Sequence, residues 1–273
     1  MTAGELIFVK LGGSLITDKT RPSTARVDVI TRLAAEIAQA RAASPDQRLL
    51  LGHGSGSFGH VVGKRYGTRA GVRDAEGWYG FAATAAVAAQ LNRIVTEALL
   101  AAGVPAWSIQ PSATARAHDG RLMSLGREVI EQALAAGLVP LIYGDVALDD
   151  VRGGTIASTE ELFVFLTPLL RPRRIILVGE VDGVFTADPA TDRAAQPIPS
   201  LTPAMIAAGG IGLGQARGID VTGGMASKVQ AMSELVQRTP GLEVRLISGL
   251  PAGRLAQVLV DPMCVAGTVL RSA

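Results

Sequence analysis

Three glycine clusters, two of them carrying lysines, hold the residues best suited to chemistry. KLGGSLITDK at 10–19 sets Gly12, Gly13 and Ser14 between Lys10 and Lys19. HGSGSFGH at 53–60 follows an apolar run and carries Gly54, Ser55, Gly56, Gly59 and a terminal His60. VTGGMASK at 221–228 sets Gly223 and Gly224 ahead of Lys228. Glycine lets backbone approach an anion and present N–H groups with no Cβ in the way. Lys10 closes the run from Leu6 to Val9, at the edge where a buried strand opens into a loop. Lys228 falls in the first turn of the helical pattern Met225, Val229, Met232, Val236. A cation there opposes the partial positive charge of a helix N-terminus, unless a bound anion neutralises both. The three clusters together point to a polyphosphate site. His60 ends the second cluster, with capping a turn as its structural alternative.

The elements that must position these loops alternate along the chain. Strand candidates are Leu6–Leu11, Arg48–His53, 104–109, 139–144, Arg174–Gly179 and Glu243–Ser248. Between them lie helical patterns over Val27–Ala43, with Ile30, Leu33, Ala34 and Ile37 on one face, and over 74–102. In the longer one, Trp78, Phe81, Ala85, Leu91, Val95 and Ala98 fall near one stripe. This order implies βαβ units, an α/β fold and a mainly parallel sheet covered on both faces. Ligands of such sheets bind at the carboxyl ends of the strands, where the glycines lie. Gly54, Gly56 and Gly59 spell the dinucleotide fingerprint, but on the second strand, and Gly63, Gly67 and Gly71 predict that no continuous helix follows. No G-x-x-x-x-G-K-[ST] occurs either. The spacing therefore speaks against a dehydrogenase and against a P-loop enzyme. RPRR at 171–174 reads as a solvated turn entering a strand. With no internal repeat and no low-complexity linker, 1–273 is expected to be a single domain.

Composition narrows the partners. Of 273 residues 48% are hydrophobic but only 4% aromatic, so the core must be built from Ala, Val, Leu and Ile. Lys and Arg total 26 against 24 acids, a net charge of +2, too balanced for a nucleic-acid surface. The single Cys264 can form neither an intramolecular disulfide nor a cysteine-based zinc site. The first 14 residues show no secretory pattern, and the alanine-rich run at 82–89 is interrupted by Thr84 and followed by Gln90. A cytoplasmic protein without membrane contact is expected.

In order and spacing, KLGGSLITDK, HGSGSFGH, YGD, VDGVF and TGGMASK resemble the amino-acid-kinase superfamily, and within it the isopentenyl phosphate kinase branch. The resemblance implies a three-layer αβα sandwich around an open, mainly parallel sheet of about eight strands. Its N-terminal part would bind the acceptor and its C-terminal part ATP. It implies ATP phosphates against Gly12, Gly13, Ser14, Gly56 and the loop of Gly223 and Gly224. Lys10 and Lys228 would hold the transferring phosphoryl group, with Lys19 as a further cation. Asp182 and Gly183 would lie by the nucleoside, and Ser55, Gly59, His60 and Gly144 by the acceptor's phosphate. Trp78, Phe81 and Ile156 could line an apolar tail pocket, with ordinary core packing as their alternative. Two departures stand out. Ser55 replaces the middle glycine of the usual H-G-G-G, which keeps an N–H available if its φ is negative. STE at 158–160 replaces S-G-D, so that Glu160 would take the place of the carboxylate orienting the lysines.

The expected reaction is ATP-dependent phosphorylation of isopentenyl phosphate to isopentenyl diphosphate with release of ADP, in isoprenoid precursor synthesis. Mg²⁺ would accompany ATP, no metal-ligating residues are assigned, and a homodimer is expected. A fosfomycin kinase or a nucleoside monophosphate kinase is the alternative within the superfamily, and a nucleotide sensor without turnover a third reading. A phosphate monoester has a second pKa of ~6, so the acceptor needs no base, which favours His60 as donor. For His53 and His118 structural roles are expected.

Overall fold

In the computed structural model, which describes residues 4–189, 191–208 and 224–272, the run Leu6–Leu11 becomes β1, the middle of an eight-stranded sheet. β1 is parallel to β2 (Arg48–His53) on one side and to β9 (Arg174–Gly179) on the other. Beyond β2 lie β6 (Val139–Tyr143) and β3 (Ala106–Ser108). Beyond β9 lie β13 (Glu243–Ser248), β14 (Thr268–Arg271) and β12 (Ser200–Leu201), and only the β13–β14 pair is antiparallel. A second sheet takes the order β5-β4-β7-β8, from Arg121–Ser124, Arg116–His118, Asp145–Asp149 and Gly153–Ala157. A ribbon pairs β10 (Val184–Phe185) with β11 (Pro197–Ile198).

Strand alternation divides the helices into two layers. Ile7, Val9 and Leu11 face one core with α1 (Gly13–Ile16), α2 (Val27–Ala43), α3 (Gly56–Arg65), α4 (Ala75–Ala101) and α9 (Arg254–Val260). Leu6 and Phe8 face the other, with α5 (Arg127–Ala135), α6 (Thr159–Leu170) and α8 (Gly224–Arg238), against which α7 (Pro203–Ala207) packs. The chain is thus an α/β three-layer sandwich with an open, mainly parallel sheet of eight strands. The same alternation sends Lys10 to the face of Leu6 and Phe8, toward α6 and α8.

Three expectations need correction. A helix does follow the second glycine cluster: α3 runs to Arg65, through Gly59 and Gly63. A Cβ on Gly59 would press into the Ser55 side chain, and one on Gly63 would come 3.0 Å from Ile156 Cδ1. Close packing thus outweighs helix propensity there. The 171–174 segment is not wholly solvated, because Arg174 is buried, paired with Glu5 at 2.9 Å and donating to the carbonyls of Val258 and Leu259. On α4 the buried stripe passes through Gly80, Thr84, Ala88, Leu91, Val95 and Leu99, leaving Trp78 42% exposed. Thr84 and Thr96 are buried there because their hydroxyls donate to carbonyls one turn back, at 2.7 Å each.

Candidate active site

The first two glycine loops touch at the carboxyl edge between β1 and β2. A Cβ on Gly13 would collide with the backbone of Gly56, and one on Gly54 would sit 2.9 Å from the nitrogen of Gly13. Gly56 has φ +49°, and a side chain there would strike Thr17. Thr17 joins the loops: its hydroxyl donates to the Gly13 carbonyl at 2.7 Å and accepts the Ser57 N–H at 3.0 Å. Ser55 has φ −77° and ψ −14°, so the serine takes the place of a glycine without strain. Among the described residues the amides of Gly13, Ser14, Ser55 and Gly56 donate to no protein acceptor. Two facing loops thus present free N–H groups over one small region.

Lys10 reaches this region from β1, where it pairs with Gly52 of β2. A Cβ on Gly52 would meet Thr159 Cγ2 at 2.6 Å and the Phe163 ring at 3.1 Å, so this glycine lets α6 lie close to the sheet. The α6 N-terminus is fixed by a capping box between Ser158 and Glu161 and by the Thr159 hydroxyl, which donates to the His53 carbonyl at 2.6 Å. Glu160 in that first turn is consequently aimed at the lysines. Lys10 Nζ donates to Glu160 Oε1 in a short ion pair, and Lys228 Nζ stands 3.7 Å from the same oxygen. Burial pushes the Glu160 carboxyl up, but Lys10 and then Lys228 outweigh it and hold it below its usual range. Lys228 is depressed by burial and by Lys10, with Glu160 opposing. One carboxylate thus holds two ammonium groups together beside the free amides.

His60 lies on the surface of α3, open to solvent on one side. Desolvation on its other side, then the charges of Lys10, Lys19 and Lys228, lower its pKa, with Glu160 opposing. The imidazole is therefore neutral near pH 7. Lys19 is largely exposed and pairs with Glu180 at 3.6 Å, while Arg26 reaches the other Glu180 oxygen at 3.5 Å. Asp182 spends its carboxylate inside the protein, accepting from the Ser248 N–H at 2.9 Å and pairing with Arg254 at 2.8 Å. Gly183 next to it has φ +97°, and a Cβ there would lie 2.7 Å from the Thr268 nitrogen. Gly144 donates to the His53 carbonyl at 3.2 Å. Gly223 lies outside the described residues, and Gly224 opens the described part of α8.

Trp78 and Phe81 meet edge to face with centroids 5.4 Å apart. A Cβ on Gly154 would come 2.7 Å from the Phe81 ring, and one on Gly153 would come 3.5 Å from Trp78, so the pair lies over β8. Ile156 of the same strand touches Gly63, one helical turn beyond His60. Sequence reasoning misses Gly52, Thr17, Thr159 and Glu180. S-T-E-E at 158–161 carries the signature of a capped helix start that would have located Thr159 and Glu160. Gly52, Thr17 and Glu180 have no such local signal. Of the other two histidines, His53 is buried against Asn92 and His118 lies 2.8 Å from Asp150.

Residues 5–248 match the family model described as Amino acid kinase family. An isopentenyl phosphate kinase of Methanothermobacter thermautotrophicus is 36% identical over 266 residues, covering 93% of this chain and 95% of its own. One of Haloferax volcanii is 39% identical, over 84% of this chain and 88% of its own. Among solved structures, an isopentenyl phosphate kinase studied by X-ray superposes with a TM-score of 0.81 at 33% identity, covering 97% of this chain and 99% of the other.

Proposed function

The chain belongs to the amino acid kinase family, and we infer that it is an ATP-dependent isopentenyl phosphate kinase, producing isopentenyl diphosphate and ADP. The observation that carries the chemistry is the pairing of Lys10 and Lys228 on Glu160, beside four free loop amides and a neutral His60. Phosphoryl transfer asks for positioning and for stabilisation of spread negative charge, with little covalent help from the protein. An oxygen of the acceptor's phosphate attacks the γ-phosphorus, and the bond to the β-phosphate oxygen breaks to release ADP. Lys10 and Lys228 neutralise the transferring group, the amides of Gly13, Ser14, Ser55 and Gly56 donate to its oxygens, and His60 donates to the acceptor. The Gly12 N–H, bonded to the Val178 carbonyl at 2.7 Å, holds the first loop in place. The third cluster, with Gly223 and Gly224, and the loop of Asp182 and Gly183 are proposed for ATP. With the Asp182 carboxylate engaged by Ser248 and Arg254, its part is to hold that loop in place. The acceptor half is N-terminal and the ATP half C-terminal within one domain. A coupled ADP-release assay with isopentenyl phosphate, dimethylallyl phosphate, fosfomycin and UMP side by side tests the reading. Turnover of only the last two would overturn it.

Among the described residues no cluster suited to holding a metal is proposed. Glu160 is committed to both lysines, and the described residues hold no group of three or more His, Cys, Asp or Glu able to ligate one. Mg²⁺ would therefore arrive with ATP and supply neutralising charge to its phosphates. Activity should vanish in excess chelator and return with added Mg²⁺, and full activity in chelator would contradict this. Among the described residues no helix is long and apolar enough to cross a membrane. A cytoplasmic homodimer is proposed, and light scattering in solution giving the mass of one chain would exclude the dimer.

The acceptor's tail is proposed to leave His60 along α3 toward Ile156, Phe81 and Trp78. His60 and Gly63 share a face of α3 at i, i+3, and Gly63 touches Ile156. Burying each CH₂ is worth ~0.8 kcal/mol, so a floor at the fifth carbon would set length preference. Replacing Phe81 or Trp78 by alanine should move the ratio of kcat/KM for geranyl over isopentenyl phosphate by about tenfold, ~1.4 kcal/mol. If both aromatics only pack the fold, alanine lowers Tm and depresses both substrates alike.

A further inference from the structure

His53 ends β2 one residue before the Gly54–Gly56 turn and is completely buried. Its ring stacks on Tyr143 with centroids 5.5 Å apart and planes within 7°. Nδ1 lies 3.1 Å from the Gly54 carbonyl oxygen, and Nε2 lies 3.2 Å from the side-chain nitrogen of Asn92. A carbonyl can only accept, so Nδ1 carries the ring proton and Nε2 accepts from the Asn92 amide. The Asn92 oxygen accepts in turn from the hydroxyl of Ser108. Donors and acceptors therefore run in one consistent direction, from α4 and β3 to the glycine turn. Burial first, and then the charge of Lys10, bring the imidazole down to about 4, against the opposing bond to Gly54. The ring is neutral throughout the physiological range.

The Gly54 carbonyl and the Ser55 N–H belong to one trans peptide plane and point in opposite directions. Fixing the carbonyl fixes the amide. Gly54 itself, lacking a Cβ, does little to resist rotation of that plane, and Ser55 is one of the amides with no protein acceptor. We infer that His53 is a positioning residue for phosphoryl transfer: its Nδ1–H, held from behind by Asn92, pins the Gly54 carbonyl and so aims the Ser55 amide at the phosphate. This rests on the reading of the glycine turn as a phosphate site.

His53→Asn keeps a side-chain donor near the place of Nδ1, whereas His53→Ala keeps none. Both remove ring packing against Tyr143, so both should lower Tm to a similar extent. Only alanine should lower kcat with isopentenyl phosphate, by about tenfold to a hundredfold, as expected for a misplaced contact, and asparagine should recover most of that loss. Equal loss of kcat in the two variants would overturn the proposal. In parallel, ¹⁵N NMR of the wild-type chain at neutral pH, assigned through His53→Asn, should show an Nδ1–H, Nε2-unprotonated ring. The other tautomer or an imidazolium would overturn it as well. A wild-type chain that leaves isopentenyl phosphate untouched would fail the functional reading instead, while the NMR result would still decide the tautomer.

Discussion

Replacing Lys10 or Lys228 by alanine is expected to lower kcat by ~10²-fold or more, because each ammonium faces charge that grows in the transition state. That is at least about 2.7 kcal/mol of barrier. The geometry makes a further demand on Glu160. Its one oxygen holds Lys10 in a short ion pair and Lys228 at 3.7 Å. Glu160→Gln removes the negative charge but keeps the shape, so two ammonium groups repel across a neutral amide, and the Lys228 pKa, already depressed, should fall further. The glutamine variant should therefore lose kcat to a similar degree while holding its fold. Its acid stability gives an independent readout. The folded-state pKa of Glu160 lies below the ordinary 4.5. Its ionisation thus contributes stability that is fully present above that value and is lost as pH falls through the folded one. Glu160→Gln should lack that part of the acid transition. Ordinary turnover in all three variants would remove the trio from the chemistry.

The strands around the site are legible in the sequence because parallel strands buried on both faces read as near-continuous apolar runs. Leu6–Leu11, Arg48–His53 and Arg174–Gly179 do. In Glu243–Ser248 the run is broken by Arg245, which is buried because it pairs with Glu243 and donates to the carbonyls of Cys264 and Pro262. In the second sheet β4 and β5 are only three and four residues long, and Arg116, His118 and Arg121 are exposed, so neither strand reads as an apolar run. Glycine misled in one direction. Counted as helix breakers, Gly63, Gly67 and Gly71 argue against a helix here, yet α3 ends at Arg65 before the last two, and Gly63 stands where a Cβ would come 3.0 Å from Ile156 Cδ1. Propensity is local, whereas the contact with Ile156 comes from a strand far along the chain. Polar residues misled on α4, where Asn92 and Thr96 are buried because they have partners, one of them the ring of His53. The loops were legible as loops. That Gly52 clears the way for α6, and so for Glu160, follows only once β2 and α6 are seen in contact.

His60→Ala should lower kcat/KM for the acceptor by about tenfold to a hundredfold, the loss expected for one hydrogen bond to a charged group. KM for ATP should hardly change. Protonation decides between donor and base. Desolvation and three nearby lysines hold the imidazole below its usual range, so near pH 7 it is neutral, with one N–H to donate. The acceptor's phosphate, with a second pKa of ~6, is by then a dianion and its own nucleophile. A donor is useful there, whereas a base has no proton to remove. His60→Gln keeps a neutral donor on a side chain of comparable reach and should recover a good part of the alanine loss. The pH profile separates the two roles. If His60 donates, the acid limb of kcat/KM follows the acceptor's own ionisation near ~6 and survives in the glutamine variant. If His60 were a base, glutamine would be as poor as alanine and the limb would disappear with the imidazole. Loss of ATP binding with acceptor binding intact would place His60 on the nucleotide side of the site.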